Sequence, residues 1–218
     1  MLGYAFDVVL SYLLGSIPTG YLVAKARNVD IRKVGSGNIG ATNVFRILGK
    51  PAGIFVLSAD AAKGLLAVCV VGRLLTVHVF KVQDPRAVEL LAICAGIAAV
   101  LGHNYTCWLG FKGGKGIATS AGVLIGLVPW ALVIILSIWI LIFAFTRYVS
   151  LGSICAAFAL PFAAWATGES PLMIGITGIL GALAIYKHSA NIKRLLNGTE
   201  NRIGGRKREP VPPPPQSS

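Results

Sequence analysis

Residues 117–146 read IATSAGVLIGLVPWALVIILSIWILIFAFT and contain no charged side chain. Pro129 divides them into a short apolar segment, 117–128, and a longer one, 130–146. A helix needs about 20 residues to cross the roughly 30 Å of hydrocarbon in a bilayer, so the first segment is short for a crossing. Whether the stretch forms one helix or two decides the number of helices and the side on which the chain ends.

The composition is that of a membrane protein. Apolar residue types make up 55% of the 218 residues and charged types 13%, against about 25% charged in a typical soluble domain. The mean hydropathy is +0.74. Seven apolar runs leave no room for a soluble core, and they are residues 2–24, 52–72, 87–103, 117–128, 130–146, 151–167 and 171–186. We therefore predict an all-α polytopic membrane protein with seven transmembrane helices.

The distribution of Lys and Arg favours seven helices over six, because these residues are retained on the cytoplasmic side. With residues 117–146 split into two helices, 16 of the 20 cationic residues fall on one side and 3 on the other, while Lys63 lies inside a helix. A single fused helix would divide them 8 against 11. The sequence thus predicts an N-terminus outside and a cytoplasmic C-terminus. Residues 2–24 carry Asp7 near their start, and we interpret them as a retained helix rather than a signal peptide.

The other bulk features set limits on domains, cofactors and partners. We predict one membrane domain, residues 1–202, followed by a disordered basic and Pro-rich cytoplasmic tail, residues 203–218. The four cysteines form no C-x-x-C pair, so neither a zinc site nor a disulfide framework is indicated, and we expect no metal or cofactor. The net charge of +12 is attributed to topology and anionic headgroups rather than to nucleic acid binding.

The first loop, VGSGNIGATN at residues 34–43, matches the dinucleotide-binding pattern G-x-G-x-x-G. A dinucleotide site needs a strand before the glycines and an acidic residue about 20 positions later, whereas here a transmembrane helix precedes them and Asp60 lies in a hydrophobic run. The glycines still allow backbone N–H groups to approach an anion. Ser36, Asn38, Thr42 and Asn43 add hydrogen-bonding groups, and Arg46 adds a guanidinium suited to phosphate. We predict an anion-binding loop.

The second loop, LGHNYTCWLGFKGGKGIATS at residues 101–120, resembles a phosphate-binding P-loop without being one. The P-loop pattern G-x-x-x-x-G-K-[ST] requires Gly at 109 and Ser or Thr at 116, where this chain has Leu109 and Gly116. Lys112 and Lys115 nevertheless lie among glycines, and a helix is predicted to begin near Ile117. Lysines, glycines and a helix N-terminus together favour an anion site.

Two further features are less decisive. His188 and Asn191, in YKHSANIKRLLNGTENR, are spaced to share a helix face on the same side as the two loops. Asp60 and Lys63 form an i, i+3 pair inside the second apolar run, where ionisable groups are expensive. Two alternatives remain open for that pair: it is purely structural, or Lys63 adds charge to the floor of a site or orients Arg46.

These loops together resemble those of the bacterial acyl-phosphate:glycerol-3-phosphate acyltransferases. The resemblance rests on GSGNIGATNVFRILGK (35–50), DAAKG (60–64), GHNYTCWLGFKGGKGIATS (102–120), RYVSLGS (147–153) and HSANIKRLLNGTE (188–200), in this order between seven hydrophobic spans. It covers roughly residues 3 to 202.

The resemblance implies transfer of a fatty acyl group from acyl phosphate to the 1-hydroxyl of sn-glycerol 3-phosphate. The products would be lysophosphatidate and phosphate, in the first acylation of phospholipid synthesis, at a site facing the cytoplasm from the bacterial cytoplasmic (inner) membrane. The candidate catalytic residues are Arg46, Lys115, His188 and Asn191. The candidate substrate-binding residues are Ser36, Gly37, Asn38, Asn43, Arg46, Lys63, His103, Asn104, Lys112, Gly113, Gly114, Lys115, Gly116, Thr119, Ser150 and Glu200.

An acyl phosphate is already activated, so catalysis can rest on holding two reactants together and stabilising developing charge. The sequence offers no Ser-His-Asp or Cys-His grouping, and we expect no covalent nucleophile. His188 is the natural candidate base by its pKa, with Asn191 orienting the hydroxyl, although a substrate phosphate oxygen is an alternative proton acceptor. The expected partners are the two substrates and membrane lipid, and a monomer is compatible with the sequence. The competing function is an anion or phosphate-ester transporter, which would place polar groups near mid-membrane.

Overall fold

The computed structural model describes residues 2–204. Residues 205–218, most of the predicted tail, lie outside the described residues. The described chain contains helices and no strand. Its α-helices are α1 Leu2–Ser16, α2 Thr19–Lys25, α3 Ala41–Leu48, α4 Lys50–Leu66, α5 Thr76–His78, α6 Pro85–Asn104, α7 Ile117–Leu127, α8 Pro129–Thr146, α9 Val149–Ala166, α10 Pro171–Lys187 and α11 Ser189–Leu196. A π-helical stretch, Ala67–Leu75, continues α4 into α5.

Five stretches of the described chain are long and apolar enough to cross a membrane, and they are Ala5–Lys25, Lys50–His78, Pro85–Leu109, Pro129–Thr146 and Val149–Ala166. A further candidate is a broken span in which α10 and α11 are bent by 58° relative to each other. The remaining apolar run forms α7, which has 11 residues and rises about 16 Å, roughly half the hydrocarbon thickness. The chain is therefore an all-helical multi-pass membrane protein within the described range, and the count of seven crossings stays a prediction.

Residues 117–146 form two helices rather than one. Between the end of α7 and the start of α8, Val128 has φ −141° and ψ 65°, which are not helical dihedrals. Pro129 has no N–H and a fixed φ, so it can begin a helix but not continue one. Ile117 at the start of α7 and Phe143 in the last turn of α8 line the same cavity. Helix α7 therefore runs away from that cavity and α8 returns to it, so the fused helix of the six-helix alternative is not formed.

Helices α4 and α7 approach so closely that their backbones touch. Gly122 and Gly126 on α7 have the G-x-x-x-G spacing that lets membrane helices pack tightly. A Cβ atom on Gly122 would collide with the carbonyl oxygen of Ala61, and one on Gly64 with the carbonyl oxygen of Thr119. This close packing fixes the short helix α7, and with it the loop that precedes it, against α4.

A buried ion pair ties α4 to the break between α1 and α2. Lys63 Nζ lies 2.8 Å from an Asp60 carboxylate oxygen and donates to the carbonyl oxygen of Ile17 at 2.9 Å. The Thr19 hydroxyl donates to Asp60 at 3.1 Å. Because an unpaired charge at this depth is costly, these contacts hold the pair in place and favour the structural alternative for Lys63. Within the described range, no hydrogen bond or ion pair joins Lys63 to Arg46 or its side chain.

The α4–α7 packing makes a stability prediction. Gly122→Ala is expected to destabilise the protein by about 1–3 kcal/mol, because the new methyl group would meet backbone that cannot move aside. Thermal unfolding of the purified protein in detergent measures the change. Gly175→Ala is the matched control, since Gly175 lies within α10 and nothing would lie within 4 Å of its Cβ. An equal Tm for Gly122→Ala and the unmodified protein would contradict the packing described.

Candidate active site

Two adjoining cavities open where the loops after α2, α6, α8 and α10 meet. The larger has a volume of about 480 Å³ and the smaller about 230 Å³. Both are lined by Ser36, Asn38, Lys115, Asn191 and Arg194. The two spaces are thus neighbours separated by a polar and cationic wall.

The first loop is held in shape by the buried amide of Asn43. The Asn43 Nδ2 donates to the carbonyl oxygens of Ile31, Val34 and Asn38. Its Oδ1 accepts the Ser36 N–H at 2.9 Å. The N–H groups of Gly37 and Gly40 also donate within the loop, at 3.0 and 2.7 Å. The N–H groups of Ser36, Gly37 and Gly40 are therefore occupied. This finding differs from the expectation that the loop glycines would offer their N–H groups to an anion.

The first loop instead presents side chains and a helix end to the cavities. Helix α3 begins after Gly40 with no side-chain cap, so its first N–H groups, at Ala41 and Thr42, border the larger cavity without that competitor. Arg46 follows one turn later and lines the same cavity. No carboxylate within ion-pairing distance neutralises Arg46 in residues 2–204. Its guanidinium is available to an incoming anion.

Gly113 and Gly114 fold the second loop back onto the end of α6. Their N–H groups donate to the carbonyl oxygens of Asn104, at 3.2 Å, and His103, at 3.0 Å. A side chain at Gly114 would overlap the His103 imidazole. Here too the glycine N–H groups are occupied, and the glycines serve to let the loop lie against His103.

Gly116 places Lys115 at the start of α7. Gly116 is the N-cap residue with φ +80°, in the left-handed region that favours glycine, and no side chain caps the helix. The first residues of α7, Ile117 and Ala118, therefore border the larger cavity together with Lys115. Lys112, by contrast, is exposed and lines neither cavity.

A chain of hydrogen bonds joins Lys115 to Glu200. Lys115 Nζ donates to Asn191 Oδ1, and Asn191 Nδ2 donates to Glu200 Oε1 at 2.9 Å. The Ser150 hydroxyl donates to the same oxygen at 3.1 Å, and Arg194 Nε pairs with Oε2 at 2.7 Å. The carboxylate is thus fully engaged, while a neutral amide separates it from Lys115. The Lys115 charge therefore remains available to the cavities that this residue lines.

Burial and neighbouring charges shift the pKa values of the titratable groups in and beside these hydrogen bonds. Burial lowers the pKa of Lys115 to about 8, with the Glu200 charge opposing the shift and the Arg194 and Arg46 charges adding to it. Burial opposes ionisation of Glu200, but its hydrogen bond with Arg194 holds the pKa of that carboxyl below its usual range. Burial and the nearby Lys115 charge lower the pKa of His188 to about 4. At neutral pH the site therefore holds a neutral imidazole beside a cation.

His188 lies at the bend between α10 and α11. Its Nδ1 is 2.8 Å from the carbonyl oxygen of Ala184, which a neutral imidazole satisfies with Nδ1–H as donor, leaving Nε2 as the acceptor. The chain bends at this residue instead of continuing as one helix. His188 and Asn191 are both buried, and both line the larger cavity.

The larger cavity continues into an apolar slot between α4 and α8, with α7 packed behind it. The slot is lined by Ile54 and Leu57 of α4, by Ile117, Ala118 and Ala121 of α7, and by Leu136, Trp139 and Phe143 of α8. Ile54, Leu57 and Leu136 are 48%, 51% and 49% exposed. Because these exposed residues lie on membrane-crossing helices, the slot opens sideways to the region that lipid would occupy.

The segment after α11 closes one side of the larger cavity. The Ile203 N–H donates to the carbonyl oxygen of Arg147 at 3.1 Å, and the Arg202 guanidinium lies 4.9 Å from the centre of the Tyr148 ring. Asn201 and Ile203 line the cavity. Ile203, which the sequence placed in the tail, therefore belongs to the site.

Most of the predicted site residues come together around the two cavities. Those that line one or both are Ser36, Gly37, Asn38, Asn43, Arg46, His103, Gly113, Gly114, Lys115, Gly116, Ser150, His188, Asn191 and Glu200. The others are Lys63, Asn104 and Thr119, which are buried and line neither cavity, and the exposed Lys112.

The candidate set from the sequence omitted two cations of the smaller cavity, Lys187 and Arg194. Arg194 follows Asn191 by three residues, a spacing that places both on one helix face. Lys187 precedes His188 directly, and its Nζ donates to the carbonyl oxygen of Asn104 at 3.2 Å. The spacing of Arg194 from Asn191 can be read from the sequence, whereas the position of Lys187 depends on the bend at His188.

Comparison with known proteins supports one family. A family model described as glycerol-3-phosphate acyltransferase matches residues 5–198. A glycerol-3-phosphate acyltransferase from Geobacter sulfurreducens is 48% identical over 203 residues, covering 93% of this chain and 99% of that protein. Another from Desulforudis audaxviator is 49% identical over 201 residues, covering 91% and 94%.

Two solved structures have the same fold. Both are crystal structures of PlsY, an integral membrane glycerol 3-phosphate acyltransferase. The glycerol 3-phosphate form is 41% identical with a TM-score of 0.80, and the lysophosphatidic acid form is 40% identical with a TM-score of 0.78. Each covers 91% of this chain and 94% of the PlsY chain. The family predicted from the loop motifs is confirmed: the chain belongs to the glycerol-3-phosphate acyltransferase family and is a membrane-embedded acyltransferase of phospholipid synthesis.

Proposed function

We propose that the protein transfers a fatty acyl group from acyl phosphate to the 1-hydroxyl of sn-glycerol 3-phosphate, giving lysophosphatidate and inorganic phosphate. The observation that carries this proposal is the pair of cavities that share a cationic wall, one of which continues into an apolar slot. Two phosphate-bearing substrates, of which one has a long hydrocarbon chain, match that arrangement. The related PlsY structures, in glycerol 3-phosphate and lysophosphatidic acid forms, support the acceptor and the product.

The larger cavity suits the acyl phosphate. Its slot accommodates hydrocarbon, and Arg46 and the α3 N-terminus lie where the phosphate group would be held. The smaller cavity suits glycerol 3-phosphate, since Lys187, Arg194 and the Ser36 residue line a polar space without an apolar extension. Lys115 lines both cavities. Arg194 also lines both, but it is paired with Glu200, so Lys115 is the cation best placed to act on both substrates.

The chemistry then needs positioning and charge stabilisation rather than a nucleophilic side chain. The 1-hydroxyl oxygen forms a bond to the acyl carbonyl carbon, the bond from that carbon to the phosphate oxygen breaks, and phosphate leaves with the electron pair. Lys115 stabilises the developing negative charge from the wall between the cavities. Arg46 holds the phosphate that departs.

The hydroxyl proton has two possible acceptors, and the contacts favour one of them. His188 is neutral and its Nδ1 is bonded to Ala184, so its Nε2 can accept a hydrogen bond from the hydroxyl. A proton stored there would lie beside the Lys115 cation, and burial disfavours it further. The departing phosphate gains negative charge as the bond breaks and is the better final acceptor. On this proposal His188 and Asn191 orient the hydroxyl, and the proton leaves with phosphate.

The orientation of the enzyme follows from its charges. The loops that meet at the cavities are those to which the seven-helix topology assigns most Lys and Arg residues, and such loops are retained on the cytoplasmic side. We infer a site that faces the cytoplasm from the bacterial cytoplasmic membrane. Acyl phosphate and lysophosphatidate would exchange with the bilayer through the lateral slot, and the water-soluble substrate would arrive from the cytoplasm.

A single assay tests the proposed reaction. Purified protein in detergent is incubated with acyl phosphate and glycerol 3-phosphate, and lysophosphatidate and phosphate are measured. We expect equal amounts of both products, and no lysophosphatidate when acyl-CoA replaces acyl phosphate. A transporter for phosphate esters would form none with either donor.

Removing either Lys115 or Arg46 should abolish most of the transfer. Lys115→Ala and Arg46→Ala are each expected to lower kcat/KM at least about a hundredfold, the scale for removing one preorganised charge contact. His188→Ala is expected to lower it less, because the imidazole only orients the hydroxyl on this proposal. Lys193→Ala is the matched control, since Lys193 is exposed and lines neither cavity. Normal lysophosphatidate production by Lys115→Ala would remove Lys115 from the phosphate site.

The Lys115 pKa makes a pH prediction. Burial lowers the pKa of Lys115 to about 8, so its cation is lost as pH rises through about 8, and kcat/KM should fall there. Substrate phosphates are already dianions above their second pKa of about 6. In Glu200→Gln the carboxylate that raises the Lys115 pKa is gone, so the falling limb should move to lower pH.

The matched control for the pH profile is Ser150→Ala. This variant removes a hydrogen bond to Glu200 but keeps the carboxylate charge. Its falling limb should stay where it is in the unmodified protein. A limb at the same pH in all three proteins would show that Lys115 does not control activity in this range.

A further inference from the structure

Trp139 is the fixed part of the apolar slot. Its Nε1–H donates to the Ser153 hydroxyl at 3.3 Å, and its ring stacks on Phe143 with centroids 5.1 Å apart and planes 15° from parallel. On α9, Gly152 lies directly against the indole, where an added Cβ would be 3.1 Å from the ring. The indole is thus held by a hydrogen bond, a stacked ring and a backbone surface.

The aliphatic slot residues have neither a hydrogen-bonding side chain nor a ring that could stack. Ile54, Leu57 and Leu136 are about half exposed on the lipid side. Hydrocarbon in the bilayer is as apolar as these side chains, so exchanging lipid contacts for theirs gives an acyl chain little net gain. A fixed, well-packed surface differs from fluid lipid because it holds a chain in one position. Among the slot residues, Trp139 offers such a surface with three restraints.

Trp139 also lies at a defined depth. Phe143, Trp139 and Leu136 follow one another along α8 from the end that borders the polar site, and at 1.5 Å per residue Trp139 is about 10 Å from Thr146 at that end. An acyl chain held by its phosphate at the polar end must be long enough to reach this depth. A short chain ends before it reaches the indole.

We propose that Trp139 is a specificity-determining residue, by which the enzyme prefers acyl chains long enough to reach the indole over shorter ones. This inference rests on the proposed function, because it takes the slot as the place of the acyl chain. The contact holds a long chain, and therefore its reactive carbonyl, in a productive position. Chain atoms beyond Leu136 would lie in lipid and would add little selection.

A competition experiment tests the proposal. A long and a short saturated acyl phosphate are mixed in one reaction with glycerol 3-phosphate, and the ratio of long-chain to short-chain lysophosphatidate is measured. Partition of the two donors into detergent micelles is the same for every variant, so a change in the ratio reports the protein alone. Trp139→Ala is expected to lower the ratio roughly tenfold, the scale for losing apolar contacts in a pocket, because kcat/KM falls more for the long chain than for the short one.

Three variants complete the design. Trp139→Phe keeps an aromatic ring and should retain most of the long-chain preference. Ser153→Ala keeps the indole and removes its hydrogen bond. It should lower the ratio by a smaller factor, and it gives the test independently of how well Trp139→Ala folds. Trp130→Ala is the matched control, because Trp130 lies on the same helix, is 72% exposed and lines neither cavity.

The outcomes separate this inference from the proposed function. An unmodified protein that transfers nothing from either acyl phosphate would overturn the proposed function and this inference with it. If the unmodified protein prefers the long chain and both Trp139→Ala and Ser153→Ala keep that preference, this inference alone would be overturned. Equal losses for long and short chains would also overturn it, since they would show that Trp139 only stabilises the fold.

Discussion

The carboxylate of Glu200 joins residues at the ends of three helices around the candidate site. It binds Ser150 at the start of α9 and Arg194 on α11, and through Asn191 it reaches Lys115 before α7. Without it, Lys115 and Arg194 would repel each other across a partly buried space. A lone carboxylate there would be as unfavourable, so the anion and its donors stabilise one another. This balance lets a membrane protein gather cations for its substrates and remain folded.

Most of the fold can be predicted from the apolar runs and the breaks between them. In a bilayer an apolar segment must satisfy its backbone hydrogen bonds internally, which a helix does. Each of the seven runs contains a helix, and Pro129 marks the break that separates α7 from α8. Hydropathy does not report whether a run crosses the whole bilayer, so it does not distinguish the short α7 from the longer helices. The bend at His188 and the π-helical stretch Ala67–Leu75 depend on tertiary packing. No apolar pattern predicts them.

The sequence predicts the location of the candidate site better than it predicts the contacts that its residues make. The G-x-G spacing predicts tight loops correctly, but it does not say which acceptor each N–H finds. In the folded protein Val34, Asn38 and the end of α6 provide carbonyl and amide acceptors, so several glycine N–H groups are already used. Lys112 and Lys115 both lie among the glycines of one loop in the sequence. Only the start of α7 separates them, by placing Lys115 between the cavities and leaving Lys112 outside.

The arrangement of charge also bears on how such a site releases what it makes. Cations strong enough to hold two phosphate dianions would also retain the phosphate product, unless their charge were moderated. Glu200 supplies one fixed negative charge behind Asn191 and Arg194, and burial brings the pKa of Lys115 to about 8 instead of its usual value above 10. Lys115 is thus a cation that burial makes less favourable to keep charged. On the proposed reaction its charge is best satisfied while both substrates are bound, and less so once phosphate has left for water and lysophosphatidate for the bilayer.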